Sequence, residues 1–568
     1  MSRPMLEAYR LDRRRSMGPL RAGSLDRRKF VQMRDLPIGC AISLRRTRPE
    51  KNPSHDGLAM ETRNPMIEQH VSEQNAPREV EMKLELASGR MDDLLDHPLL
   101  ARAKPAPDQG GTLYAVYYDT VDHALRRAGL SLRIRSSKGR QVQTIKAENG
   151  ESGLALDRAE WECEVDGRLD FAAAAETPLA PFIGDIEGRK LIRPAFTVET
   201  NRHIFLIEHA GALIELALDQ GVATAGSQNS SFSELELELK EGKVSGLFDL
   251  AGKLAEAAAL RLSLTTKSER GYALTGAAAS RPSTSGELAL SSGTPCAEAF
   301  QRIARSCLSQ IVGNEALFRR TRDAPALHQM RVGFRRLKAS LSLFKGMLDN
   351  RETETIKAEL RWAGRQLGPA RDLDVLLANA PATTAQEAHL ERMKAERART
   401  EAYDALLETL GSPRFTRAIL KTAAWIETGR WRTRGKAAMR RRSIADHVAK
   451  ELPRRWKSIR KGAKRLAALE PDRRHRVRIK AKKLRYTVEF LESLYGRNPA
   501  KKRHAWWLAR LKRLQDSLGE MNDIAVASER FPALSQSDPK RRKAREKKLL
   551  SGAEKTARKL RKADPFWT

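Results

Sequence analysis

Residues 77–280 contain several short segments in which charged and apolar residues alternate with a period of two. In the first segment, Glu79, Glu81 and Lys83 fall on one face, and apolar residues occupy the positions between them. The same alternation returns in residues 131–135, 158–165, 213–219 and 233–240. Successive side chains of a β-strand point to opposite faces, so this pattern predicts antiparallel strands that bury one face. Many such strands with short turns are typical of a sandwich or a barrel.

The polar face of these strands carries long charged residues. A sheet with one solvated face is the ordinary interpretation of such a pattern. Here, however, the sign of the charge sorts by strand: residues 131–135 carry only Arg, whereas residues 233–240 carry mostly Glu. Like charges side by side cost free energy unless counter-charges offset them. Carboxylates that bind hard cations, next to basic groups that bind phosphate, favour a metal–phosphate site inside a closed barrel.

The ordered motifs of this region resemble the CYTH domain, the family of triphosphate tunnel metalloenzymes. They are E-x-E-x-K from Glu79, YYDT from Tyr117, the two Arg of 131–135, QTIKA around Lys146, RAEWE from Arg158, ELELELK from Glu234 and KSERGYAL from Lys267. The resemblance implies an eight-stranded antiparallel β-barrel over residues 77–275. This barrel would hydrolyse a triphosphate within its tunnel and would require Mg²⁺ or Mn²⁺.

The resemblance also implies roles for individual residues. The catalytic group would be Glu79, Glu81 and Lys83. The substrate phosphates would be bound by Arg133, Arg135, Lys146, Arg158, Arg202, Lys267 and Arg270. The metal would be bound by Glu79, Glu81, Glu160, Glu162, Glu234 and Glu236. One ion would neutralise phosphate charge, and a second would activate a water for in-line attack.

The net charge of +34 is concentrated in the C-terminal half. Lys and Arg outnumber Asp and Glu by 66 to 31 in residues 281–568, but are outnumbered 24 to 31 in residues 77–280. This excess predicts a polyanionic partner for the C-terminal half. Between the halves, residues 276–293 are rich in Ala, Ser, Gly and Thr and predict a flexible linker. Residues 1–76 are rich in Arg without a sustained period, which predicts a disordered basic arm.

The C-terminal half contains an internal repeat of helical character. HQMRVGFRRLKASLSLF begins at His328, and HRVRIKAKKLRYTVEFL begins at His475. A second pair, LGPARDLDV from Leu367 and LGEMNDIAV from Leu518, follows at nearly the same spacing. A period of 3.6 residues gives each copy one apolar stripe and one basic arc. A solvated charged face is the ordinary interpretation of such an arc, but acidic partners at helical spacing are scarce here.

The repeated segments resemble the CHAD domain, the conserved-histidine α-helical domain, over residues 294–560. The resemblance implies an all-α domain of two related four-helix bundles, at about 294–440 and 441–560, whose basic channel binds inorganic polyphosphate. The chain would then be an α+β multidomain protein. The polyphosphate-binding residues would be His328, Arg331, Arg335, Arg336, Lys338, His475, Arg478, Lys482, Lys483 and Arg485. For the two histidines, a structural or capping role is the alternative.

Three functions remain open at this point. The first is a metal-dependent inorganic triphosphatase joined to a polyphosphate-binding module. The second is a non-catalytic protein of polyphosphate granules, and the third a hydrolase or cyclase of an organic triphosphate such as thiamine triphosphate or ATP. Nucleic-acid binding, with Trp506 and Trp507 stacking on bases, is less favoured because no RNA-recognition, KH or zinc-finger motif occurs.

Hydropathy and cysteine usage exclude other classes. The mean hydropathy is −0.55, and no run approaches the ~18 apolar residues that a membrane-spanning helix needs. The four cysteines have no C-x-x-C spacing, which disfavours a zinc ribbon or a disulfide scaffold. We therefore expect a cytoplasmic protein, with association to polyphosphate granules as a further expectation.

Overall fold

The structure is a computed structural model that describes residues 78–567, apart from short gaps at 89–90, 107–109, 148–155, 277–281, 287, 381–385, 497–498 and 531–538. The basic arm predicted at residues 1–76 lies outside the described residues.

Ten antiparallel strands form one sheet in the described part of the chain. They are β1 (Arg78–Ser88), β2 (Lys104–Pro105), β3 (Gly111–Asp119), β4 (Leu130–Ser137), β5 (Arg140–Ala147), β6 (Leu156–Glu164), β7 (Arg193–His209), β8 (Ala212–Ala225), β9 (Gln228–Gly242) and β10 (Ala259–Ser263). Their hydrogen-bonded order is β10-β1-β6-β5-β4-β3-β7-β8-β9. Strand β2 pairs with β7, and β1 pairs with β9 in addition to β6 and β10.

The eight-stranded barrel that we predicted is therefore wrong, because the sheet has ten strands. Strand β2 has two residues, too few to produce a period-two pattern in the sequence. Strand β10 joins where β1 extends beyond β6: β6 pairs with Arg78–Glu81, and β10 pairs with Lys83–Ser88. The sequence predicts alternation within a strand but not this change of partner along β1.

Seven helices accompany the sheet among the described residues. They are α1 (Asp92–Leu95), α2 (Pro98–Ala101), α3 (Ala124–Arg127), α4 (Ala180–Ile183), α5 (Ile186–Leu191), α6 (Val244–Ala257) and α7 (Lys267–Leu274). Helix α7 begins with a capping box, in which Thr266 and Glu269 exchange side-chain and backbone hydrogen bonds. Gly271 lets this helix approach the sheet, because a Cβ atom there would lie 2.0 Å from the Phe196 ring. The cap and the close approach fix the position of Lys267.

The C-terminal half is helical. Its helices are α8 (Cys296–Thr321), α9 (Ala324–Leu343), α10 (Arg351–Gln366), α11 (Gly368–Asn379), α12 (Gln386–Gly411), α13 (Pro413–Thr428), α14 (Ala437–Arg441), α15 (Ile444–Ala463), α16 (Pro471–Phe490), α17 (Ala500–Arg530) and α18 (Pro539–Lys562). The repeated basic segments lie in α9 and α16, which contact each other. None of the described helices combines the length and apolar character that crossing a membrane requires.

The sheet and the helical half share one hydrophobic core. Helix α6 and strand β10 pack against α13, and β10 also contacts α8. The segment that joins the halves is hydrogen-bonded to residues of the helical half at several points. The backbone of Leu290 exchanges two hydrogen bonds of 3.0 Å with the Ser493 hydroxyl, and Asn314 donates to the Ser283 carbonyl at 2.8 Å. These residues of the predicted linker thus contact the helices.

Candidate active site and basic surface

A cavity of about 620 Å³ lies against the charged face of the sheet. It contains side chains that alternate along the strands, as the period of two requires: Glu81 and Lys83 of β1 line it, whereas Met82 and Leu84 are buried in the hydrophobic core. Ten of the predicted site residues line this cavity: Glu81, Lys83, Arg133, Arg135, Lys146, Glu160, Glu162, Arg202, Glu236 and Lys267. The charged face of the sheet therefore does surround a common space.

The other four predicted site residues are not among the described residues that line the cavity. The side chains of Glu79 and Arg158 lie outside the described residues, although their backbones pair between β1 and β6. Glu234 is fully buried and accepts a hydrogen bond from Lys267 at 2.6 Å. Arg270 contacts Glu234 at 3.2 Å. Neither Glu234 nor Arg270 is among the cavity-lining residues. Both lie behind the wall, where Glu234 contacts the lining residue Lys267.

One end of the cavity is formed by a network of buried ion pairs around Lys267. Its Nζ atom lies 2.6 Å from Glu234, 2.7 Å from Glu236 and 2.7 Å from Asp219. Burial alone would lower the pKa of Lys267, but these carboxylates outweigh burial and raise it. The ammonium therefore stays charged at neutral pH.

Glu236 is the acidic centre of the same network. It contacts Lys83, Lys267 and Arg202. Burial would raise the pKa of Glu236, but these three cations hold it well below its usual range. A carboxylate that is ionised in a buried place requires such partners, since an unpaired buried charge is strongly destabilising.

A second part of the cavity wall, on β4 and β5, presents Arg and Lys side chains. Arg135 lies 3.6 Å from Glu162, and Lys146 lies 2.9 Å from Glu160. Repulsion from Arg133, then burial, lowers the pKa of Arg135. The Nε atom of Arg133 is buried, and among the described residues it has no hydrogen-bond acceptor. A wall with adjacent guanidinium groups and an unsatisfied donor fits an anion with several oxygens.

A cluster of carboxylates at and behind the wall of this cavity, whose three members all contact Lys267, could bind a hard divalent cation. Oxygen atoms of Asp219, Glu234 and Glu236 all lie within 4.8 Å of one another, and Mg²⁺ and Mn²⁺ prefer such oxygen ligands. Asp219 was missing from the predicted set, although it shares the charged face of residues 213–219. Glu215 and Glu238, which line the cavity, were also missing from that set. All three lie on the charged faces that the period of two predicts for residues 213–219 and 233–240.

The basic arcs of α9 and α16 meet on the surface of the helical half. Burial, then repulsion from Arg335, Arg478, Arg331 and Arg485, lowers the pKa of Lys482 to about 7. Arg335 and Arg331 belong to the first repeat and Lys482 to the second, so the two arcs are close enough to repel each other. Burial and the same kind of repulsion lower the pKa of His328 to about 4, which leaves its ring neutral.

The predicted polyphosphate-binding residues do not all lie on this surface. Arg336 is buried, donates to Gln310 at 2.8 Å and lies over the Phe490 ring. Arg331 pairs with Asp372 at 3.2 Å, and Arg485 is bound by Gln515 at 2.8 Å and by Glu489. His475 contacts Asn522 at 3.2 Å, which is compatible with the structural alternative.

The remaining basic residues complete this surface. Lys483 is exposed, and Lys338 is half-buried, with its pKa lowered by burial and then by Arg361, Arg335 and Arg365. Arg361 and Arg365, one helical turn apart on α10, were missing from the prediction. Their spacing of four residues is a signal that the sequence does contain.

Two family models match this chain. Residues 77–272 match the CYTH domain, and residues 302–532 match the CHAD domain. The order of the two domains confirms both resemblances that the sequence motifs indicated.

Individual proteins are also similar to parts of the chain. Over 199 residues, 35% of this chain, it is 32% identical to an inorganic triphosphatase of Haemophilus influenzae, and the match covers 55% of that protein. The chain thus spans about half the length of this curated relative. A CHAD domain from Ricinus communis is 30% identical with a TM-score of 0.42, covering 50% of this chain and 97% of that chain. A Hippeastrum adenylyl cyclase candidate described as having a dominant triphosphatase activity is 20% identical with a TM-score of 0.27, covering 34% and 95%.

Proposed function

Because the chain contains a CYTH domain followed by a CHAD domain, we propose that it hydrolyses inorganic triphosphate in the sheet cavity and binds polyphosphate on its helical half. The observation that carries the first part is the composition of the cavity wall. Basic groups able to hold a phosphate chain face carboxylates able to hold a divalent cation within one space of about 620 Å³.

In this proposal, different lining residues bind and orient the triphosphate. Arg133, Arg135 and Lys146 grip phosphate oxygens from one wall, and the guanidinium groups hold them in fixed directions. Lys267 and Lys83 are kept protonated by Glu236 and place positive charge at the other end. Mg²⁺ or Mn²⁺ bound by the carboxylates would neutralise phosphate charge and activate a water molecule. Catalysis of phosphoryl transfer rests on such positioning and charge stabilisation.

An inorganic substrate is favoured over a nucleotide by the cavity lining. Among the described lining residues, Tyr117 is the one aromatic side chain, and its ring already stacks on Phe196 at 4.7 Å. A purine or thiazole ring would therefore find little surface on which to stack. We accordingly propose tripolyphosphate as the substrate, with thiamine triphosphate and ATP as the alternatives to be measured beside it.

The decisive experiment measures phosphate release from tripolyphosphate, ATP and thiamine triphosphate by the purified full chain with Mg²⁺ or Mn²⁺. Glu81→Gln keeps the shape of a buried lining residue and removes its charge, so we expect a loss of about 100-fold or more. Glu199→Gln is the control, because Glu199 is exposed on β7 next to the cavity-lining Thr200. Equal activity of wild type and Glu81→Gln would contradict the assignment, and so would preferential cleavage of ATP.

For the helical half, the proposal is that a polyphosphate chain lies across the joined basic arcs of two related four-helix bundles. The supporting observation is that burial, and then repulsion between the neighbouring basic groups, lowers the pKa of Lys482 and of Lys338. A polyanion would relieve this repulsion and release counterions, so affinity should fall steeply with salt. The alternative function, a granule-binding protein without catalysis, predicts tight polyphosphate binding and no phosphate release. We propose a cytoplasmic, granule-associated location on the same ground.

A further inference from the structure

Residues of opposite charge from the sheet and the helical half line one small cavity where the two halves pack together. Strand β10 packs against α8 and α13. A small cavity of about 10 Å³ between them is lined by Arg261 of β10 and Glu315 of α8, together with apolar residues from both halves. Buried charges of opposite sign at a domain contact interact strongly, since little water screens them.

On the sheet side, a chain of ion pairs leads from this small cavity to the phosphate cavity. Glu85 of β1 lies beside Arg261 of β10 and Glu234 of β9 in the strand register. Arg261 contacts Glu85 at 2.7 Å, and Arg270 contacts Glu85 at 3.5 Å and Glu234 at 3.2 Å. Glu234 then contacts Lys267 at 2.6 Å, and Lys267 lines the cavity.

On the helical side, Glu315 lines the same small cavity as Arg261, and its ion pair is with Arg319 of its own helix. It is 4% exposed and accepts a hydrogen bond from Arg319 of its own helix. Burial raises the pKa of Glu315, Arg319 and Arg261 lower it, and Glu85 raises it, so it interacts electrostatically with both members of the nearest sheet-side pair. The Nε atom of Arg261 is buried and has no acceptor among the described residues, which leaves this guanidinium dependent on the charges around it.

We propose that Glu315 is a positioning residue for the phosphate cavity, acting from the helical half through Arg261, Glu85, Arg270 and Glu234 on the ammonium of Lys267. The attraction between Glu315 and Arg261 weakens the ion pair between Arg261 and Glu85. The strength of that ion pair in turn determines how strongly Glu85 attracts Arg270. The helical half thereby changes the affinity of the cavity for its substrate without contacting the substrate. This inference rests on the proposed function, since the substrate of that site reports the effect.

The test is Glu315→Gln in the full chain, with Glu427→Gln as the matched control. Glu427 is a similarly buried carboxylate, 7% exposed, that accepts from Arg305 and Gln301 inside the helical half. We expect Glu315→Gln to raise KM for tripolyphosphate about threefold to tenfold with kcat nearly unchanged. Glu427→Gln should change stability without changing KM. Glu315→Asp, which keeps the charge, should restore most of the affinity.

A double substitution separates transmission through Arg261 from a general loss of stability. If the chain of contacts carries the effect, adding Glu315→Gln to Arg261→Gln produces no further rise in KM. Independent, multiplying effects would overturn the proposal, and so would equal effects of Glu315→Gln and Glu427→Gln. Should Glu315→Gln fail to fold, Arg261→Lys and Arg261→Gln replace it, and the proposal requires the charge-keeping variant to bind better.

The proposed function can fail separately. If wild type releases no phosphate, tripolyphosphate affinity measured by calorimetry replaces KM as the readout. If the wild-type protein does not bind tripolyphosphate either, the unfolding midpoints of Glu315→Gln, Glu85→Gln and the double variant are compared. Additive changes in the midpoint overturn the proposal, and non-additive changes support it.

Discussion

Replacing Lys482 by Met should stabilise the protein, and most strongly at low pH. Burial and four neighbouring guanidinium groups lower the pKa of Lys482 to about 7, from an ordinary value of 10.5. Below pH 7 both the folded and the unfolded chain carry this proton, so the full cost of burying the charge is present. Between pH 7 and 10.5 the unfolded chain binds more protons, so wild-type stability rises with pH and the benefit of the substitution shrinks.

The magnitude follows from the same two pKa values. At about 1.4 kcal/mol per pH unit, the interval between about 7 and 10.5 sets an upper limit of about 5 kcal/mol. Lys482 is only half-buried, and its neighbours can move apart, so we expect about 1–3 kcal/mol at pH 6.

Urea unfolding at pH 6 and pH 9 measures this gain. The control is Lys483→Met, because Lys483 is the next residue of the same helix and is exposed. The reasoning would be refuted by equal gains for the two variants at pH 6, or by a gain from Lys482→Met that does not decrease at pH 9. Either result would mean that the two basic arcs do not repel each other at this position.

Three further predictions concern the two phosphate sites. Polyphosphate binding should raise the pKa of Lys482, so calorimetry in buffers of different ionisation enthalpy should detect uptake of about one proton at pH 8 by wild type and almost none by Lys482→Met. Arg336→Met should lower the unfolding midpoint and leave polyphosphate affinity unchanged, whereas Arg335→Met should weaken binding; the reverse pattern would contradict the burial of Arg336. Lys267→Met should abolish tripolyphosphate hydrolysis and destabilise the protein by about 3–5 kcal/mol. The thermal midpoint should drop more at pH 8 than at pH 5, because the three carboxylates left around it can be protonated at low pH.

The charged face of the sheet could be predicted because a strand's two faces are determined locally. Glu81 and Lys83 line the cavity as the alternation requires, since a period of two needs no knowledge of neighbouring strands. The same alternation puts Asp219 on the charged face, but its position beside Glu234 could not be predicted in this way. It lies opposite Glu234 in the β8–β9 register, and register depends on contacts between strands.

Helical positions show the same distinction. Lys267 and Arg270 share α7, yet Lys267 lines the cavity and Arg270 lies behind it, because the packing of Gly271 on Phe196 sets the rotation of the helix. Arg335 and Arg336 are adjacent in sequence but about 100° apart on a helix, which places Arg336 in the core. The wheel could have separated this pair. It could not have predicted that Glu315 and Arg261 line one small cavity, which depends on how the two halves meet.

The central claim is that both halves bind chains of condensed phosphate. The sheet binds them together with a divalent cation, and the helical half binds them without one. Calorimetric titration of the full chain, with and without Mg²⁺, tests it most directly. The account predicts one tripolyphosphate site that is lost in Lys83→Met, and a second, long-chain polyphosphate site that is insensitive to Mg²⁺ removal by chelation and lost in Arg335→Met. A single shared site, or tripolyphosphate binding that survives in Lys83→Met, would contradict it.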